Sequence, residues 1–166
     1  MVSSESFDSW RAELLHVGNI VQDHDPGVSP EEASQRFNRY IEMLDSLKGD
    51  EGPEYAAAVF QSIQALHDYG AYQTAERVAW RFGEEMFCSA LLAELPRLIE
   101  SLPDWAGDFL VSIANAQDTP HESIISTFNT QLSASSPQIR EAVRAFISQE
   151  EDDGWFSHRV GVLGVV

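Results

Sequence analysis

The sequence predicts an all-α fold: seven to eight helices in antiparallel pairs, forming one helical domain over residues 1–154 with an apolar tail at 155–166. Three observations carry this reading. Apolar residues recur at spacings of three and four along nearly the whole chain, the period of a helix with one buried face. Proline repeatedly follows a short polar turn, the signature of a helix start. The breaks between periodic segments are short, so consecutive helices are expected to fold back on one another. With 43% hydrophobic and 10% aromatic residues, 166 residues supply enough apolar mass for a core.

The elements follow in order. Phe7, Trp10, Leu14, Val17 and Val21 lie on one face of a first helix, with Ser4 or Ser6 as cap and Pro26-Gly27 as its end. Ser29-Pro30-Glu31-Glu32 opens a second, striped by Phe37, Ile41, Leu44 and Leu47. After the loop Lys48 to Pro53, a third helix carries Tyr55, Val59, Ile63 and Leu66 and is expected to run to Gly70. A fourth starts near Tyr72 and carries Ala75, Val78, Ala79, Phe82 and Met86, with Gly83 as an interior bend. Leu91 to Leu102 continues the pattern, and Pro96 predicts a kink or restart within it. Pro103-Asp104 opens a helix with Trp105, Phe109, Leu110 and Ile113. Asp118-Thr119-Pro120 opens the next, with Ile124, Ile125, Phe128 and Leu132; Ser135-Ser136-Pro137 opens the last, with Ile139, Val143, Phe146 and Ile147. Glu150 to Gly154 reads as a charged turn. Val160 to Val166 is β-branched and glycine-spaced, a short strand or a docked extended segment.

Charge narrows the function. Ten basic residues stand against 27 acidic ones, for a net charge of −17, and Lys48 is the only lysine. Such a chain repels nucleic-acid phosphates and anionic membrane surfaces, so neither is an expected partner. No apolar stretch approaches the ~18 residues of a membrane span, and the N-terminus carries no secretory signal pattern. A single cysteine, Cys88, allows no internal disulfide and fits a reducing cytoplasm.

Chemistry-bearing motifs are absent from the sequence. His16, His24, His67, His121 and His158 are scattered without metal-ligand spacing, and no metal or other cofactor is expected. Asp23-His24-Asp25 fails as a calcium loop, because Gly27 stands where an oxygen ligand belongs and Ser34 where the final glutamate belongs. His67-Asp68 cannot face each other as neighbours on a helix. Cys88 has Glu84, Glu85 and hydrophobes around it, which raises a thiol pKa rather than activating it. No catalytic residue is assigned, and an enzyme is not expected.

The remaining candidate is a surface. Glu84, Glu85, Asp104, Asp108, Asp118 and Glu122 cluster in sequence around the middle helices, with Trp105, Trp80 and Trp155 as candidate aromatic anchors among them. Asp104 and Asp108 share one helix face at i, i+4. The alternative to a solvated face is an electrostatic landing site for a basic protein, where complementary fields speed association.

Ser135-Ser136-Pro137-Gln138-Ile139-Arg140-Glu141-Ala142-Val143-Arg144-Ala145-Phe146 resembles the second helix of a HEAT-type repeat. The stretch from Leu91-Leu92-Ala93-Glu94-Leu95-Pro96-Arg97-Leu98-Ile99-Glu100 through Pro103-Asp104-Trp105-Ala106-Gly107-Asp108-Phe109-Leu110 to Ala114-Asn115 and on to Phe146 resembles the small helical immunity proteins of bacterial polymorphic toxin and contact-dependent growth inhibition systems. The resemblance implies a HEAT-like stack of helices, a cytoplasmic location, one cognate toxin domain as partner and no catalysis. A toxin such as a nuclease would present a basic site to the acidic face. A non-catalytic helical scaffold or adaptor for other cytosolic proteins is the second reading of the same residues.

Overall fold

The computed structural model describes residues 4–164. Among them it is all-α, with eight helices: α1 (Ser4–Gly18), α2 (Pro30–Asp45), α3 (Pro53–Gln61), α4 (Ala71–Trp80), α5 (Glu84–Ser101), α6 (Pro103–Ala114), α7 (Ser123–Ala134) and α8 (Pro137–Asp152), followed by a short 3-10 turn at Ser157–Arg159. No helix is long and apolar enough to cross a membrane among the described residues. Four starts fall where proline predicts them, at Pro30, Pro53, Pro103 and Pro137. Proline suits the first turn because its missing N–H has no helical partner there. Ser29 and Ser136 supply the caps, accepting from the N–H groups of Glu32 and Ile139. The expected cap of α1 cannot be Ser6, which lies inside the helix; the capping position and the Ser4 side chain fall outside the described residues, as do Val165 and Val166 of the tail.

The chain divides into two compact units, Met1–Gly83 and Glu84–Val166. In the first, α2 packs on α1 and α4, and α3 packs on the same two helices. Its centre is polar as well as apolar. Tyr40 and Ser62 share a buried 2.7 Å hydrogen bond, and Ser62 Oγ donates to the Val59 carbonyl. Gly18, at the end of α1, meets this group so closely that a Cβ would stand 2.8 Å from the Ser62 carbonyl oxygen. In the second unit, α5 packs against α6, α7 and α8. Its buried residues Phe87, Cys88, Leu91, Leu92, Leu95 and Leu98 form the spine of that core.

Five boundaries differ from the sequence expectation: α1 ends at Gly18 rather than at Pro26-Gly27, leaving Val21 past it, α8 runs to Asp152 through residues that read as a charged turn, and three more have a visible cause. First, α3 stops at Gln61 instead of running to Gly70, and His67-Asp68 lies in the connection after it. The Tyr72 hydroxyl accepts from the N–H groups of Gln64 and Ala65, replacing helical partners, and leaves Leu66 68% exposed. Second, Gly83 ends a helix rather than bending one: its φ of +83° is left-handed, and α5 starts at the next residue. Third, α7 begins at Ser123, because the chain from Asp118 to Glu122 turns on itself, with Thr119 Oγ1 donating to the Ala116 carbonyl. Pro96 causes no restart; α5 continues through it.

The tail is docked, not a strand. Asn129 of α7 donates to the Val162 carbonyl and accepts from the Gly164 N–H, a two-bond clamp, and Leu163 is buried. Glu151 accepts from the Gly161 N–H.

Candidate protein-binding face

The seven residues singled out in the sequence separate into two groups. Four of them join parts of the second unit to each other. Glu84 accepts a 2.7 Å hydrogen bond from the Ser123 hydroxyl, and Glu85 accepts one of 2.7 Å from the Gln131 amide, so the start of α5 holds α7. Asp118 pairs with Arg159 at 3.1 Å, and Glu122 accepts from the Asp118 N–H. The other three, Asp104, Trp105 and Asp108, lie on α6. Asp104 and Asp108 are exposed; Trp105 is half-buried and packs on Phe109, with ring centroids 6.0 Å apart.

The face around Asp104 is completed by Glu150 of α8, which the sequence places in a charged turn, and by Trp155 just past that helix. Val143, Ile147 and Glu150 follow at intervals of four and three, so Glu150 occupies a core position of its helix and is only 8% exposed. The end of α8 then doubles back. Gly154 N–H donates to Glu151 and Trp155 N–H to the Glu150 carbonyl, with Gly154 at φ +87°. This paired bond pattern lays the second residue past the helix end against the last turn, usually as an apolar contact. Here the residue laid back is Trp155, and the position it meets is Glu150.

Both side chains converge on Gly107 of α6. A Cβ at Gly107 would stand 3.1 Å from Glu150 Oε2 and 3.3 Å from the Trp155 ring. Trp155 nonetheless keeps 42% of its surface exposed. Burial raises the Glu150 carboxyl above its ordinary pKa, and the charges of Asp153 and Asp104 push it further the same way. No arginine is within ion-pair distance of Asp104, Glu150 or Asp153 among the described residues. Arg97 pairs with Glu94, Arg140 bonds the carbonyls of Ser133 and Ser135 at the end of α7, and Arg159 is held by Gln117 and Asp118. Residues 84–166 carry 13 acidic side chains against four arginines, so the imbalance extends beyond this spot.

The other candidates have structural roles. Cys88 is fully buried, its thiol pushed up to about 12 by burial and then by Glu84 and Glu85. Asp25 accepts from the Gln22 N–H within a turn, and Asp68 from the Tyr72 N–H at the start of α4. No group of three or more His, Cys, Asp or Glu side chains among the described residues is placed to hold a metal ion. Comparison with protein-family models, with curated proteins and with solved structures finds no significant match to this chain.

Proposed function

We propose that this protein is a non-catalytic binding protein that neutralises a basic toxin domain by covering it with the acidic face of its second unit. The observation that carries the reading is Glu150 beside the exposed Trp155 over Gly107, with Asp104 and Asp153 near enough for their charges to act on it and no pairing cation among the described residues. Carboxylates left in this state cost folding free energy, and a partner's cations offset that cost on binding. A negative field of this kind also steers a positive surface into contact. The resemblance of residues 91–146 to toxin-immunity proteins supplies the class of partner.

The test is survival. Where a large secreted protein with a C-terminal toxic domain is encoded beside this chain, cells are made to express that domain, with and without the chain itself. Rescue by the wild type, and its loss in a chain carrying D104N, E150Q and D153N together, is the expected result. Full rescue by that triple variant overturns the acidic face as the binding surface, and no rescue by the wild type overturns the function. In vitro, association with the purified domain is expected to slow as ionic strength rises past ~0.15 M, where the Debye length is ~8 Å.

A further inference from the structure

Resting on that reading, we propose that Glu150 and Trp155 form a receptor for one arginine side chain of the basic partner, with the guanidinium lying on the indole and hydrogen-bonded to the carboxylate. The geometry has three parts. Glu150 as a residue is only 8% exposed, and no side chain among the described residues donates to its carboxylate, so it lacks the partner that buried carboxylates normally have. The indole flanking the same point above Gly107 is bent back onto the helix by backbone hydrogen bonds yet is 42% exposed, a platform held in place before any ligand arrives. Gly107 lets both groups approach α6, since a Cβ there would press on each of them.

The chemistry selects the occupant. Asp104 and Asp153 add negative charge around Glu150, so the ligand group is a cation. An exposed tryptophan beside a carboxylate suits a flat cation that can stack and bond at its edge. Guanidinium does both, and it gives up its hydration more readily than an ammonium does. The four arginines of the second unit do not fill the position: three are committed elsewhere. The fourth, Arg144, lies with its Cγ by Gly164 on the tail side of α8.

The experiment uses the full chain and a hexa-arginine peptide, with hexalysine in parallel, read by calorimetry at low salt and by the NMR resonance of the Trp155 indole N–H. Hexa-arginine is expected to bind and shift that resonance, and hexalysine to bind more weakly. E150Q and W155A are each expected to weaken hexa-arginine binding about tenfold. D152N, which removes the same charge from an exposed site on the same helix, is expected to change it far less. W155A alters an exposed side chain, so it reports even if E150Q perturbs folding. Equal losses from D152N and E150Q would reduce the effect to net charge and overturn the receptor, as would wild-type affinity in W155A. Equal affinity for the two peptides would overturn the assignment to arginine. Any of these results leaves the acidic-face reading standing, because toxin rescue decides that separately.

Discussion

The Tyr72 hydroxyl donates a 2.8 Å hydrogen bond to the carbonyl oxygen of Gly18, 54 residues earlier in the chain. The Tyr72 hydroxyl oxygen in turn accepts from the N–H groups of Ala65 at 2.7 Å and Gln64 at 3.0 Å. One phenol thus ties the end of α1, the connection after α3 and the start of α4 into the core of the first unit. Tyr72→Phe keeps the ring and strands those backbone groups, and it is expected to cost about 1–3 kcal/mol in urea denaturation. A loss below about 0.5 kcal/mol, the range of ordinary surface changes, would mean that the bonds add nothing. Gly18→Ala attacks the same junction sterically. The gain in helix propensity, about 1 kcal/mol, is outweighed by a Cβ 2.9 Å from the Tyr40 ring as well as against Ser62, so the variant is also expected to be destabilised.

Cys88 is expected to be inert in the folded protein. Its thiol is buried and donates to the Ile124 carbonyl at 4.0 Å, and a pKa pushed up to about 12 leaves little thiolate at neutral pH. Alkylation with iodoacetamide should proceed only as fast as the second unit opens, and urea should accelerate it in step with unfolding. Rapid labelling of native protein would contradict the placement of this side chain.

What was legible in the sequence was local. Proline at the first turn and serine just before it act within four residues, so the starts at Pro30 and Pro137 could be read without knowing any neighbour. The end of α3 could not. Ile63 and Leu66 continue its apolar spacing, but the backbone there is taken over by Tyr72, whose own place depends on Gly18. The site divides in the same way. Asp104 and Asp108 on one helix face follow from their spacing, whereas Glu84 and Glu85 look identical to them in sequence and instead hold α7. Glu150 reads as one acid in a run of four. Its core position could have been found by extending the interval from Val143 through Ile147, and Gly154 signals the turn that returns Trp155. Their meeting over Gly107 requires α6 and was not readable from either segment alone.

Those different roles make a prediction about Glu84 and Glu85. Both lie in the first turn of α5, where a negative charge favours the helix dipole, and both accept from α7 side chains. Replacing the pair by alanine is expected to lower stability by about 1–2 kcal/mol, combining the dipole term with two lost hydrogen bonds. Hexa-arginine binding, read on protein that is still folded, should fall no further than in a control with two exposed carboxylates removed elsewhere. A loss as large as that of E150Q would move the binding face to the start of α5.

Glu150 gives a pH dependence of definite sign. Burial first, and then Asp153 and Asp104, raise its folded-state pKa above the ordinary 4.5. The folded chain therefore holds this proton at pH values where the unfolded chain has released it, and stability falls as pH rises between the two values. Below the ordinary value both states are protonated and the carboxylate costs nothing. Above the raised value both are ionised and the full cost of burying the charge is present. Glu150→Gln keeps the shape and removes the titration. It is expected to match the wild type near about pH 4 and to become progressively more stable than it toward about pH 8. The measurement is the difference in urea midpoint between the two proteins across that range, with the exposed D152N as control. A gap that stays constant, or one in which the wild type gains on E150Q as pH rises, would show that this carboxyl is not held against its charge and would remove the reason for it to seek a cation.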